Sequence, residues 1–165
     1  MKHSIRILTL LLAALTMTLC LVACSSGKGG SELVFVVEGD EPVRLEIGAK
    51  SEPIIEKMGH WITVNYTDSC GGFAGKDADY TYKGYTVSTT PAKDGQIICK
   101  VTLTDDSVKT PEGLYIGMSR SDAEKAMKGF SSEAAGDNLV YTAGSVRLQV
   151  AFRDGAVTGI VYVAA

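Results

Sequence analysis

His60 and Cys70 lie ten residues apart, and a cysteine beside a histidine can act as a thiolate nucleophile with its base. The glycine-rich stretch SCGGFAG, residues 69–75, would leave Cys70 accessible. A working pair also needs a group that orients the imidazole, and none is evident near His60. Cys99 is a second partner for Cys70. Cys20 and Cys24 fall in the apolar N-terminal region, so Cys70 and Cys99 are an even pair in the body of the chain. In an exported protein such a pair suits a disulfide, and two reduced thiols are the alternative. A bridge closing about 30 residues would stabilise by about 3 kcal/mol in the chain-entropy picture.

Metal and phosphate chemistry find less support. The other histidine, His3, sits in the leader, so one imidazole remains and a multi-histidine zinc site cannot be assembled. Asp105-Asp106, Asp68 and Asp77 lack the alternating ligands and terminal Glu of a calcium loop. Gly71-Gly72 lacks the Gly-Lys-Ser/Thr ending and following helix of a phosphate loop. No catalytic residue, metal or cofactor is expected, and the protein is not expected to be an enzyme. The remaining polar set is aromatic. Trp61, Phe73, Tyr80, Tyr82 and Tyr85 are the candidate binding surface, because aromatics with a polar tip favour recognition faces. Ordinary packing within a sheet is the alternative for each.

The leader decides the setting in which such a surface would work. Lys2 and Arg6 precede an apolar run from Ile7 to Ala23, and every acidic residue lies beyond position 30. This is a secretory signal pattern, expected over residues 1–23. The run has 17 residues, diluted by threonines and Cys20, against about 20 apolar residues for a membrane-spanning helix. It ends in Leu21-Val22-Ala23-Cys24, which resembles a bacterial lipobox. The resemblance implies that the Cys24 thiol is alkylated by diacylglycerol and becomes the lipidated N-terminus. Residues 24–31 would then be a Gly/Ser tether lifting the folded part off the bilayer. Two or three acyl chains give durable anchoring where one is marginal. Removing Lys2 and Arg6 leaves 14 basic residues against 19 acidic, a formal charge of −5. That balance speaks against nucleic acid and against flat adhesion to anionic lipid.

The body of the chain repeats itself. IGAKSEPIIEKMG, residues 47–59, matches IGMSRSDAEKAMKG, residues 116–129: Ile-Gly, a polar cap, then a short helix ending at glycine. Ser51 and Ser119 are the expected N-caps, and Gly129 the expected left-handed end of the second helix. Alternating runs rich in Val, Ile, Thr and Tyr follow each copy: residues 61–66, 79–82, 85–90 and 96–103, then 138–142, 145–152 and 156–163. Glycine-bearing turns such as Arg153-Asp154-Gly155 join them. LVFVV, 33–37, is expected to join the sheet. Ile62, Val64 and Tyr66, and Val146, Leu148 and Val150 with Phe152 continuing that face, are the core candidates. The expected fold class is α+β: two tandem units of a short helix followed by an antiparallel β-meander, packed side by side, over residues 32–104 and 105–165.

The phrase GLYIGMSRSDAEKAMKG, with NLVYTAGSVRLQVAFRDGAVTGIVYV after it, resembles the helix-plus-sheet unit of β-lactamase-inhibitor-protein-like domains. The small lipoprotein subunit of the outer-membrane assembly machine has a similar unit. The first half, SCGGFAGKDADYTYKGYTVSTTP with KVTLTDDSVKTPEG, is similar to uncharacterised lipoproteins of Gram-positive anaerobes. These motifs are structural glycines and caps, and no contact residue of the inhibitors maps onto this chain. The resemblance implies a lipid-anchored, extracytoplasmic binding module, non-catalytic, that takes a protein, peptide or wall component on its sheet surface. The alternative is a structural subunit of an envelope assembly complex. A membrane reached through the lipid anchor and one extracytoplasmic partner are the expected associations.

Overall fold

The computed structural model describes residues 32–165, and the leader, Cys24 and the tether lie outside them. The first segment is a small ribbon, β1 (Phe35–Val37) paired antiparallel with β2 (Val43–Leu45). The helix α1 (Ser51–Met58) follows. Four strands come next: β3 (Thr63–Asp68), β4 (Lys76–Tyr82), β5 (Tyr85–Ala92) and β6 (Gly95–Leu103). After a linker the chain forms α2 (Arg120–Ala126). It ends with β7 (Ser131–Ala135), β8 (Asn138–Ala143), β9 (Val146–Arg153) and β10 (Ala156–Ala164).

The strands do not form two helix-plus-meander units packed side by side. The protein is mostly antiparallel sheet, and β3 to β10 make one eight-stranded sheet in the order β3-β4-β5-β6-β10-β9-β8-β7. The joint is the pairing of β6 with β10, from Ile160 opposite Leu103 to Val163 opposite Lys100. The physical reason is the edge problem. Two separate meanders would each leave a long apolar strand with unpaired backbone groups, and joining β6 to β10 removes both edges. The ribbon corrects a second expectation. Residues 33–37 do not add to the large sheet; β1 pairs only with β2.

A single core lies on one face of the sheet. Val87, Val101, Leu148, Val150, Ile160 and Tyr162 project from the strands into it. Phe35 and Leu45 of the ribbon, Ile55 of α1, Ala123 of α2 and Met127 at that helix's C-cap close it from above. The Phe35 ring packs 5.3 Å from Tyr85 and 6.1 Å from Tyr162, so the ribbon acts as a lid over the seam between β6 and β10.

The helices start and stop as local chemistry dictates. Ser119 accepts the backbone N–H of Asp122 at 3.2 Å and donates its hydroxyl to that carboxylate at 2.8 Å, a reciprocal cap. Gly129 does not end this helix; Met127 does, with φ −94. At α1 Ser51 is the first helical residue, and Lys50, the N-cap, makes no side-chain cap. Gly59 ends α1 at φ +73, where a side chain would be strained.

Candidate functional site

The end of α1 and the outer strands of the sheet enclose a cleft of about 650 Å³. Its walls are Glu52, Ile55 and Glu56 of α1, then His60 and Trp61 beyond the helix, and Tyr80 of β4. The path of the chain explains the gathering. Gly59 turns the backbone out of α1, and the Ile62 N–H then donates to the Thr81 carbonyl at 2.8 Å. That bond lays the chain beside β4, where Trp61 meets Tyr80 with ring centroids 5.2 Å apart and planes at 75°. Such an edge-to-face pair is a favoured aromatic geometry. Trp61 keeps 42% of its surface exposed, so this wall stays open to solvent.

The helix wall is acidic and fixed. Glu52 Oε1 accepts the Gln96 N–H at 3.0 Å, which clamps α1 to the start of β6. Its own backbone N–H and that of Gln96 hold the Glu52 carboxyl below the usual carboxylate range. Tyr80 is pushed the other way, first by burial, then by the neighbouring Tyr66 hydroxyl and the Glu52 charge. Glu56 lies one helical turn beyond Glu52, on the same wall.

The five aromatic candidates separate into three groups. Trp61 and Tyr80 meet in the cleft. Phe73 is exposed in the loop between β3 and β4 and does not line it. Tyr82 and Tyr85 belong to no exposed surface. Both are buried in the core, stacked with centroids 5.1 Å apart, and Tyr85 donates its hydroxyl toward Met58 Sδ at 4.0 Å. Alternation explains this split: Tyr80, Tyr82 and Tyr85 all face the helices, but only Tyr80 lies beyond the ribbon's cover. Ile62 and Tyr66 depart from the expected core for the same reason, remaining 72% and 56% exposed.

The opposite face of the sheet is not covered by a helix among the described residues. It carries Thr86, Thr102, Val140, Gln149 and Val161, whereas the exposed Tyr66 and the Trp61–Tyr80 pair lie on the helix side. Sequence reasoning missed Glu52, Glu56 and Gln96. The i, i+4 spacing of the two glutamates was a usable signal for the first two, whereas Gln96 reaches the site only through β6.

Cys70 and Cys99 are not bridged in this structure. Cys70 is exposed in the loop between β3 and β4. Cys99 sits in the β6 bulge and donates to the Ser88 carbonyl at 3.3 Å, and burial pushes its thiol pKa up. Cys70 is therefore expected to react with a maleimide at neutral pH at least about tenfold faster than Cys99, the thiolate being the reactive form. Denaturant should erase the difference. A protein with no reactive thiol before reduction would show instead that the two are bridged.

Among the described residues His60 has no acid–base partner, and no group of three His, Cys, Asp or Glu side chains is placed to hold a metal. No described helix is long and apolar enough to cross a membrane. No family model matches this chain, and neither a curated protein nor a solved structure is found to be similar to it.

Proposed function

We propose that this protein is a lipid-anchored, extracytoplasmic binding module whose recognition site is the cleft between α1 and the outer strands. The observation that carries the proposal is the gathering of Trp61, Tyr80 and two glutamates around one open cavity of about 650 Å³. That size falls in the range of small-molecule sites, and a few polar groups on an otherwise apolar lining are what such sites use to orient a ligand. Anchoring follows from the lipobox-like Leu21-Val22-Ala23-Cys24. The glycine-rich tether leaves the cleft free to face outward.

Trp61 is the sole tryptophan of the chain, so intrinsic emission reports on the cleft directly. The test uses the full protein extracted from membranes in mild detergent, with diacylglycerol on Cys24 verified by intact mass. Fractions of the producing cells' envelope, separated into proteins, wall polymers and small molecules, are titrated into it. One fraction is expected to shift Trp61 emission saturably, and Tyr80→Ala is expected to weaken that response at least about tenfold. A response unaffected by Tyr80→Ala, or no response to any fraction, overturns the assignment. A response from one stoichiometric protein alone would favour the assembly subunit.

A further inference from the structure

We propose that the cleft takes a small organic ammonium cation, its charge held between Glu52 and Glu56 and its alkyl groups lodged against Trp61, Tyr80 and Ile55. This deepens the binding-module proposal and depends on the same cleft. Three observations converge on a cation.

The first is charge. Glu52 and Glu56 stand on one wall of the cleft, and neither takes part in an ion pair among the described residues. The carboxylates of α2 behave differently: Glu124 is paired with Arg120 at 2.9 Å and Asp122 with Lys125 at 2.8 Å. Glu52 is held ionised by two backbone N–H groups, and its field reaches the Tyr80 hydroxyl. Lys50 offsets part of that field from the start of the helix but does not line the cleft.

The second is ring geometry. Trp61 and Tyr80 meet at 75° and so form a corner rather than parallel plates. A flat sugar or base wants a platform or a slot. A compact tetrahedral group fits a corner, where a cation within about 6 Å of an aromatic face is attracted by its quadrupole. The third is polarity. Ile55 is the aliphatic contact available to methyl or methylene groups, while the hydrogen-bonding groups nearby, Ser51, His60 and Gln96, lie among the cleft's lining residues. An ammonium with alkyl substituents satisfies both kinds of wall; an anion would face two carboxylates.

Choline and its uncharged carbon analogue 3,3-dimethylbutan-1-ol are the probes, titrated into the full chain with Trp61 emission as the readout. Choline is expected to give a saturable change. The neutral analogue should bind at least about tenfold more weakly, and Glu56→Gln should weaken choline at least about fivefold while leaving the neutral analogue unaffected. Glu56 is exposed, so the substitution is not expected to disturb folding. Equal binding of the two probes overturns the cation and leaves the cleft standing as a binding site. No saturable change with either probe also overturns it, and the envelope fractions then decide the broader proposal separately.

Discussion

Replacing Val161 with proline is expected to remove a large fraction of the protein's stability, because the residue sits where the two halves of the sheet are joined. Val161 pairs with Thr102 of β6 on one side and with Gln149 of β9 on the other. Its N–H therefore donates to one neighbour or the other, and proline removes that donor from an interior strand. The lost ladder bond and the carbonyl left without a partner together cost about 2–4 kcal/mol. Against a total stability of about 5–15 kcal/mol that is a large fraction. The adjacent Ile160 and Tyr162 are fully buried, so the disturbance reaches the core directly. A drop of about 10 °C or more in melting temperature is expected, still in one transition. Val161→Thr, which keeps the N–H, should stay close to the parent. Two separate transitions in the proline variant would show that the halves hold together without the seam, and an unchanged melting temperature would place Val161 outside the ladder.

What the sequence disclosed about this fold was local. The turn Arg153-Asp154-Gly155 announced itself because a tight hairpin needs left-handed residues, and Asp154 and Gly155 have φ of 53 and 77. The Ser119 cap was legible for a similar reason, since its partner lies three residues away. β7 was not legible: SSEAA has no apolar alternation, being an exposed edge strand held only by β8. The joining of β6 to β10 was invisible as well. It depends on residues about 60 positions apart, and each strand alone reads the same whether it is an edge or a centre.

The candidate site divides along the same line. Trp61 and Tyr80 were singled out by residue type, but type could not separate Tyr80 from Tyr82. They share a face two residues apart, and only the position of the overlying ribbon and α1 leaves one open and buries the other. Glu52 shows the converse. Its spacing from Glu56 marks only a shared helix face, and what fixes its carboxylate is Gln96, 44 residues away.

Alkaline pH should destroy the fold steeply, because the buried tyrosines resist ionisation. Burial raises Tyr82 and Tyr85 to about 12, lifts Tyr141, and lifts Tyr162 well above its ordinary value. An unfolded tyrosine ionises near pH 10. Below that both states are neutral and these groups leave stability independent of pH. Above it the unfolded chain releases protons that the folded chain retains, so each step in pH favours unfolding. Several tyrosines act together, and the stacked Tyr82–Tyr85 pair would place two phenolates side by side. The urea midpoint is expected to fall steeply between about pH 10 and 12. Tyrosinate absorbance should rise in step with the loss of circular dichroism. Tyr82→Phe sharpens the test. The Tyr82 hydroxyl is buried without a hydrogen-bond partner among the described residues, so removing it should stabilise the protein by about 1 kcal/mol at neutral pH and make the alkaline fall less steep. Tyr162 is different, since its hydroxyl reaches Glu112 at 3.5 Å, and Tyr162→Phe should bring no such gain. Tyrosinate absorbance that develops while the circular dichroism stays intact would mean that water reaches these rings, and the core beneath the ribbon would have to be more open than this packing allows.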